Sequence, residues 1–431
     1  MAWPSTAAST RSCGPLHDRS DSLSSHLKRL RKTDVVSNSV KAVGGAVIVI
    51  FLLAIFEVFS FAVFSAASDN VKFRSRVLYP ADLSDADLQR YIENRDGTLG
   101  WPSKSNPRHD QNSHRERISP ANDAIGNPKY CFEVYGDSFT FADDVDDAAA
   151  WPNRLAETTG CKVLNFGVGG FGVDQAVIRH ERNARLADYA ALLIYPDDIR
   201  RNLNRFRTLL SPSEKRLNFK PRFILSEDGG LTLVEIFSGA PEDYKQIVHH
   251  PTGLPEERFL PDSDGIWSKI TLTFPYSLSV LRLARKIYRE IDFEKLWTGK
   301  FKHGINGMNF PSYYFRDPGL TTEARSILDK LAERFQANCK AKRQTCFVIL
   351  HPDIDYLEGD FRAERVMAYY LQNLKDQPNF LNMVDFLRAE MKGELCRYYA
   401  LSNCMGHFNA AGNALVSKFF LHSFPPAFDH R

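Results

Sequence analysis

The chain has no surplus of either charge, because 55 lysines and arginines stand against 52 aspartates and glutamates for a net of +3. That balance supplies no concentrated positive field, so nucleic acid is not an expected partner. No stretch recurs at a fixed period, which sets aside repeat architectures. Residues 1–41 lack any hydrophobic face at helical or strand spacing and are rich in Ser, Thr, Lys and Arg, so they are expected to form a disordered tail. The rest is ordinary for a globular protein, with 43% hydrophobic residues, 25 Gly and 22 Pro, and is long enough for one large domain or two modest ones.

One long apolar run follows the tail. AVGGAVIVIFLLAIFEVFSFAVFSAAS extends from Ala42 to Ser68 and is interrupted only by Glu57. About 20 residues suffice to cross a bilayer, and a soluble core helix would not be apolar on every face, so residues 42–67 are predicted to be a single transmembrane helix. A cleaved signal peptide ending near Ser65, Ala66 and Ala67 is the alternative, but the preceding tail is long and the run exceeds the roughly 7–15 residues of such a segment. Arg29, Arg31, Lys32 and Lys41 precede the span and Lys72, Arg74 and Arg76 follow it. This mild asymmetry places the tail in the cytoplasm and the remainder outside it. Glu57 is expected to face a partner helix or to snorkel.

Seven cysteines fit an oxidising compartment. Cys339 and Cys346 flank a short turn, Cys396 and Cys404 flank RYYALSN, and Cys131 and Cys161 each stand near the start of a predicted strand. These make three candidate disulfides, against the alternative of small buried hydrophobes.

Residues 68–127, centred on LGWPSKSNPRHDQNSHRERISP, read as an extended linker wrapping the surface of a domain at 128–427. From there strands and helices alternate: YCFEVYG, WPNRLAETTG, KVLNFG, VDQAVIRHERNARLA and AALLIYP. Alternation of this kind predicts an α/β fold with a parallel sheet covered on both faces. It lapses over about 203–315, which reads as an insertion containing a hairpin around DGG. It resumes with the helix TTEARSILDKLAERFQANCK, the strands TCFVILHP and FLNMVDF, and the closing helix AAGNALVSKFFLHSF.

Ligands of an open parallel sheet bind beyond the carboxyl ends of its strands. GDSFT, NFGVGGFG and YPDDIRRN all fall at such ends, and CMGHFNAAGN brings a histidine just before the last helix. Ser138 alone reads as a helix cap and His407 alone as an ordinary histidine. Taken in order, the four stretches resemble the SGNH, or GDSL-type, hydrolase superfamily, over about residues 95–425. That resemblance implies a three-layer α/β/α sandwich of flavodoxin-like type, with Ser138 as nucleophile and His407 as its base. It also implies an oxyanion hole from the Ser138 and Gly170 backbone N–H groups. LGWPSK and the KPRF…GGL hairpin are similar to membrane-anchored bacterial members. They imply an inner-membrane protein whose periplasmic domain is a serine esterase or O-acyltransferase, acting on acyl esters, with acetyl preferred, of a cell-envelope glycan or a small ester. No metal or cofactor is implied.

Two positions depart from the family pattern. Asp197 stands where an asparagine is expected to donate to the oxyanion, leaving Asn202 as a neighbouring substitute. Cys404 stands three residues before His407, where the orienting aspartate is expected, so the triad acid is not identified. A catalytically impaired domain that binds glycan or serves in assembly is therefore the alternative. Gly167, Gly169 and Gly172 also satisfy G-x-G-x-x-G, a dinucleotide-binding pattern, but after the second strand rather than the first. Asp143 to Asp147 could be read as a Ca²⁺ loop and His351, Asp353 and Asp355 as metal ligands. A solvated helix start and a polar loop are the preferred readings.

Overall fold

The computed structural model describes residues 20–67, 72–73, 84–109, 114–126, 130–211, 217–261, 269–290, 315, 317–377, 379–402 and 404–424. The chain divides into two compact units, Met1–Val63 and Phe64–Arg431. The first is dominated by a helix that begins at Ser20 and ends at Ala66. Within it Lys41–Ala66 is long and apolar enough to cross a membrane, with a mean hydropathy of 2.8. Ile48, Phe51, Leu52 and Phe56 are all exposed along it. The helix therefore starts well inside the segment expected to be a disordered tail. Ser20 to Lys41 contains neither Gly nor Pro, so nothing local stops the helix from extending backward. Residues 1–19 of the expected tail lie outside the described residues.

In the second unit, β1 (Lys72–Phe73) is followed by the helix Asp85–Asn94, which starts on a capping box made by Ser84 and Asp87. β2 (Tyr130–Tyr135), β3 (Lys162–Asn165) and β4 (Tyr189–Ile194) come next, separated by the helices Trp151–Thr159 and Val173–Arg182. The hairpin β5 (Arg222–Leu225) and β6 (Leu231–Val234) and the two-residue β7 (Ile270–Thr271) belong to the expected insertion. β8 (Thr345–Leu350) and β9 (Phe380–Asn382) return to the main sheet. That sheet has five strands in the order β3-β2-β4-β8-β9, all parallel.

The central strands are apolar on both faces because both faces are covered. Tyr135, Leu192, Ile194, Val348 and Leu350 pack on one side with the helices Val173–Arg182 and Pro318–Ala341. Val134, Leu193 and Ile349 point the other way, as the period of two requires, and pack with Trp151–Thr159, Val384–Met391 and Ala410–Ser423. From β2 the chain steps outward to β3 and then crosses back to β4. The carboxyl ends of β2 and β4 thus flank a topological switch point, where α/β sheets bind ligands.

Three sequence expectations change. The segment 68–127 is not simply a linker, because it is bonded into the domain: Gln175 Nε2 donates to Leu99 O at 2.7 Å and Arg117 N to Asn165 O at 2.8 Å. FLNMVDF is a strand only as far as Asn382, whose Oδ1 accepts the Val384 N–H at 3.0 Å and starts a helix instead. The helices Ile354–Glu358 and Phe361–Tyr370 were not foreseen. The insertion is fastened by buried charge: Lys220 pairs with Asp174, and Arg222 Nη2 reaches Glu323 Oε1 at 2.6 Å. Glu257 accepts from the backbone N–H groups of Arg205, Phe206 and Phe259.

All three candidate disulfides form: Cys131–Cys161, Cys339–Cys346 and Cys396–Cys404. Cys131–Cys161 spans 30 residues and ties β2 to β3, so replacing both by alanine should cost about 3 kcal/mol in denaturant unfolding, provided the chain is isolated oxidised. Thiol titration of the denatured, unreduced wild type should find one reactive thiol among the seven cysteines. A count of seven would show that the bridges do not form.

Candidate active site

The turn after β2 carries Gly136, Asp137 and Ser138. Asp137 caps the short helix Ser138–Phe141, its Oδ1 accepting the Phe139 N–H at 2.9 Å. As the first residue of that helix, Ser138 has a backbone N–H with no intrahelical acceptor. Its side chain is nearly buried, and its Oγ donates to Asp137 Oδ2 over 3.3 Å. The loop after β3 supplies Gly170, whose φ of +80° lies in the left-handed region. Ser138, Gly170 and His407 line one cleft of about 970 Å³, together with Trp101, Arg108, Asp143, Arg201 and Arg207.

His407 enters from the loop before the helix Ala410–Ser423. Its ring meets Phe139, the neighbour of Ser138, edge-on at 4.8 Å. The carboxylate that meets His407 is Asp144. One carboxylate oxygen, Oδ2, accepts the His407 backbone N–H at 2.7 Å and lies 3.1 Å from His407 Nδ1. Bonding at Nδ1 fixes the ring's orientation and leaves Nε2 as the nitrogen available to a serine hydroxyl. Gly406 makes the approach feasible. It has a φ of +82°, and a Cβ there would stand 2.7 Å from Asp144 Oδ2. Burial pushes the Asp144 carboxyl up, but the His407 N–H and imidazole outweigh it and hold the group below its ordinary value.

The loop bearing Asp144 is gripped from the segment expected to be a linker. Arg117, buried, donates from Nη1 to Ala142 O at 2.6 Å and from Nη2 to Val145 O at 2.9 Å, and pairs through Nε with Asp147 at 2.9 Å. Arg108 reaches Asp143 O and Val145 O, each at 3.1 Å. The carboxylates of 143–147 are thereby used within the protein: Asp143 with Arg108, Asp144 with His407, Asp146 with the Ala149 N–H and Asp147 with Arg117. That distribution argues against a Ca²⁺ loop.

Asp197 and Asn202 do not join the cleft lining. Asp197 is held by Arg200 and by Arg201 Nη2 at 2.8 Å, which accounts for a carboxylate where a donor was expected. Asn202 is fully buried and its Oδ1 accepts the Asp174 N–H at 3.2 Å. His351 is buried at the carboxyl end of β8 against Phe139 and Phe408, and burial pushes its pKa down to about 4. Asp353 caps the helix Ile354–Glu358 through the Tyr356 N–H, so HPDID is a polar capping loop. The glycine-rich loop is also spent internally. Gly169 O accepts Trp101 Nε1 at 2.9 Å and the Gly172 N–H donates to Gln175 Oε1 at 3.1 Å. His180, Cys339 and Cys346 come together, but both sulfurs lie in a disulfide and offer no thiolate.

Comparison with protein-family models and with curated proteins finds no match for this chain. The residues missed in the sequence are Asp144, Arg108 and Arg117. Only the placement of Asp144 six residues after Ser138 hints at its role, and three neighbouring acids share that hint.

Because the folded carboxyl of Asp144 lies below its ordinary value of 3.8, its stabilising contacts are fully present above that value and are lost as pH falls through the folded one. The melting-temperature advantage of wild type over Asp144→Ala should therefore shrink as pH falls below about 4. Thermal melts from pH 5 to 3 check this. An advantage that kept growing over that range would contradict the assigned contact.

Proposed function

We propose that the chain is an SGNH-type serine esterase or O-acyltransferase whose triad is Ser138, His407 and Asp144. The observation that carries this reading is the Asp144–His407 pair, whose histidine lines the same cleft as Ser138. The sheet order supports the finer fold assignment. Counted along the chain, its strands run 2-1-3-4-5 with helices on both faces, as in flavodoxin-like three-layer α/β/α sandwiches.

In the proposed reaction His407 Nε2 takes the proton as Ser138 Oγ attacks an ester carbonyl, and Asp144 stabilises the imidazolium. The N–H groups of Ser138 and Gly170 receive the oxyanion. The intermediate collapses with cleavage of the ester C–O bond as His407 returns the proton to the leaving alcohol, and water or an acceptor hydroxyl, deprotonated by His407, then attacks the acyl group and restores the Ser138 hydroxyl. The reading of an impaired, glycan-binding domain rests on two departures, the aspartate at 197 and the missing acid, and the Asp144–His407 contact speaks against the second. An acylated envelope glycan remains the preferred substrate, consistent with one apolar span and a domain outside the cytoplasm.

A serine-directed fluorophosphonate should label the wild type and not Ser138→Ala. Asp144→Asn should lower kcat on a short acyl ester by about 10³- to 10⁴-fold with little change in KM. Cys404→Asp should bring no gain, because Asp144 already holds His407 and the change breaks the Cys396–Cys404 bridge. Labelling that persists in Ser138→Ala would sink the mechanism.

The proposed topology places everything after the span outside the cytoplasm. Alkaline phosphatase fused after Asp69 should therefore be active in cells, and a silent fusion would reverse the orientation.

A further inference from the structure

The cleft that holds Ser138 and His407 is rich in one charge. Its described walls carry Arg90, Arg95, Arg108, Arg201 and Arg207, against the carboxylates of Asp87 and Asp143 alone. Three of these arginines meet a carboxylate. Arg90 Nη1 reaches Asp87 at 3.1 Å, Arg108 Nη1 reaches Asp143 at 3.3 Å, and Arg201 lies among Asp137, Asp197 and Asp198.

Arg95 is different. It follows the helix Asp85–Asn94 and is only 7% exposed, yet its contacts are all with neutral groups. Nη1 donates to Phe237 O at 2.8 Å, and Cζ lies 5.8 Å from the centre of the Tyr91 ring and 5.5 Å from that of Tyr244. A carbonyl dipole and two ring faces attract a cation without cancelling its charge. Burial pushes the Tyr91 hydroxyl up to about 12 and that of Tyr244 upward as well, so neither ring supplies a phenolate. Among the described residues no carboxylate lies within ion-pair distance of Arg95. Arginine is rarely buried this far without a charged partner, because its desolvation is then uncompensated. On the wall of an open cleft, that partner can be supplied by a ligand.

We propose that Arg95 selects a substrate that is itself anionic, an acyl ester on a glycan that also carries a carboxylate or a phosphate. The planar guanidinium suits either group, since its parallel N–H donors match two oxygens at once. The bond to Phe237 O already fixes the side chain, so little conformational freedom is lost when the anion arrives.

The proposal rests on the esterase reading only in taking this cleft as the substrate's. The test is therefore made by binding, on the full chain carrying Ser138→Ala so that no ligand turns over. Isothermal titration compares trigalacturonate, its carboxyl-reduced neutral counterpart and a phosphorylated form of that neutral sugar. At least one anion should bind about tenfold more tightly than the neutral sugar, and the tighter of the two names the source of the charge. Arg95→Gln should erase that preference and leave the neutral sugar's affinity unchanged. Arg90→Gln removes a cation that already faces Asp87 and should leave the preference within about twofold. If Arg95→Gln fails to fold, Asn94→Asp, which sets a carboxylate on the same wall, should weaken the preference about threefold or more. Equal affinities for the three sugars, or no binding by either anion, would overturn the proposal. So would a preference that survives Arg95→Gln or Asn94→Asp, or that Arg90→Gln lowers as much. Anion preference without fluorophosphonate labelling of the wild type would remove the esterase chemistry and leave the anion site, whereas labelling without the preference would do the reverse.

Discussion

A single carboxylate oxygen joins two parts of the chain that are 263 positions apart. Asp144 Oδ2 receives both the backbone N–H and the Nδ1 side of His407, so it fixes where the histidine's loop lies and how its ring is turned. Either contact alone would leave one of those free. The rest of the site is arranged so that this contact can hold. On the acid's side, Arg117 fills its guanidinium with loop carbonyls and with Asp147, and a buried arginine so engaged resists displacement because leaving would expose unpaired charge. On the histidine's side, Ala400 N donates to His407 O at 2.9 Å, and the Cys396–Cys404 bridge closes the loop behind it.

Beneath Ser138 lies a second network in which charge is concentrated rather than distributed. Arg201 is surrounded by Asp137, Asp197 and Asp198, at 3.3, 2.8 and 2.7 Å. Burial alone would push the guanidinium down, but three carboxylates raise it, and it stays charged. Asp198 is pushed up by burial and by neighbouring Asp137, against the pull of Arg201. The nucleophile's turn is thus tied through Asp137 and Arg201 to the loop after β4. This explains the acidic pair at 197–198 without giving either residue a role toward an oxyanion.

How much of this the sequence revealed follows from the range of each signal. Strands buried on both faces are written as uninterrupted apolar runs, so β2, β4 and β8 were readable in place. β9 is shorter than its apolar run suggests because the Asn382 side chain accepts the Val384 N–H and turns the chain, a local event inside an apolar stretch. Ser138, Gly170 and His407 are readable because the roles proposed for them require particular residue types in short motifs. Asp144 was not, since any of four nearby acids has the right chemistry and the choice is made by Gly406 and Arg117, both remote in sequence. The segment 68–127 reads as linker for a related reason. Its polar and Pro-rich composition resembles a surface strap, yet its hydrogen bonds are directed at single backbone atoms such as Gly169 O.

The division between sheet and walls has a consequence for specificity in the proposed reaction. The sheet ends and the loop before the last helix supply Ser138, Gly170 and His407, whereas Tyr91, Trp101 and His109 come from the N-terminal segment and Arg207 and Asn218 from the insertion. Part of each wall is attached by contacts of its own, Trp101 to Gly169 O and Lys220 to Asp174, that bypass the Asp144–His407 pair, whereas Arg108 and Arg117 of the N-terminal segment hold the loop that carries Asp144. Changes on the walls away from Arg108 and Arg117 can therefore alter which ester is held while the proton-transfer geometry stays intact, which is how one scaffold comes to serve different substrates. Arg207 is the wall residue set against Gly170 itself, because its Nε lies 3.0 Å from where a Cβ on Gly170 would be. A wall cation there faces the same loop that would hold the oxyanion, so substrate selection and charge stabilisation meet at Gly170 rather than at the serine.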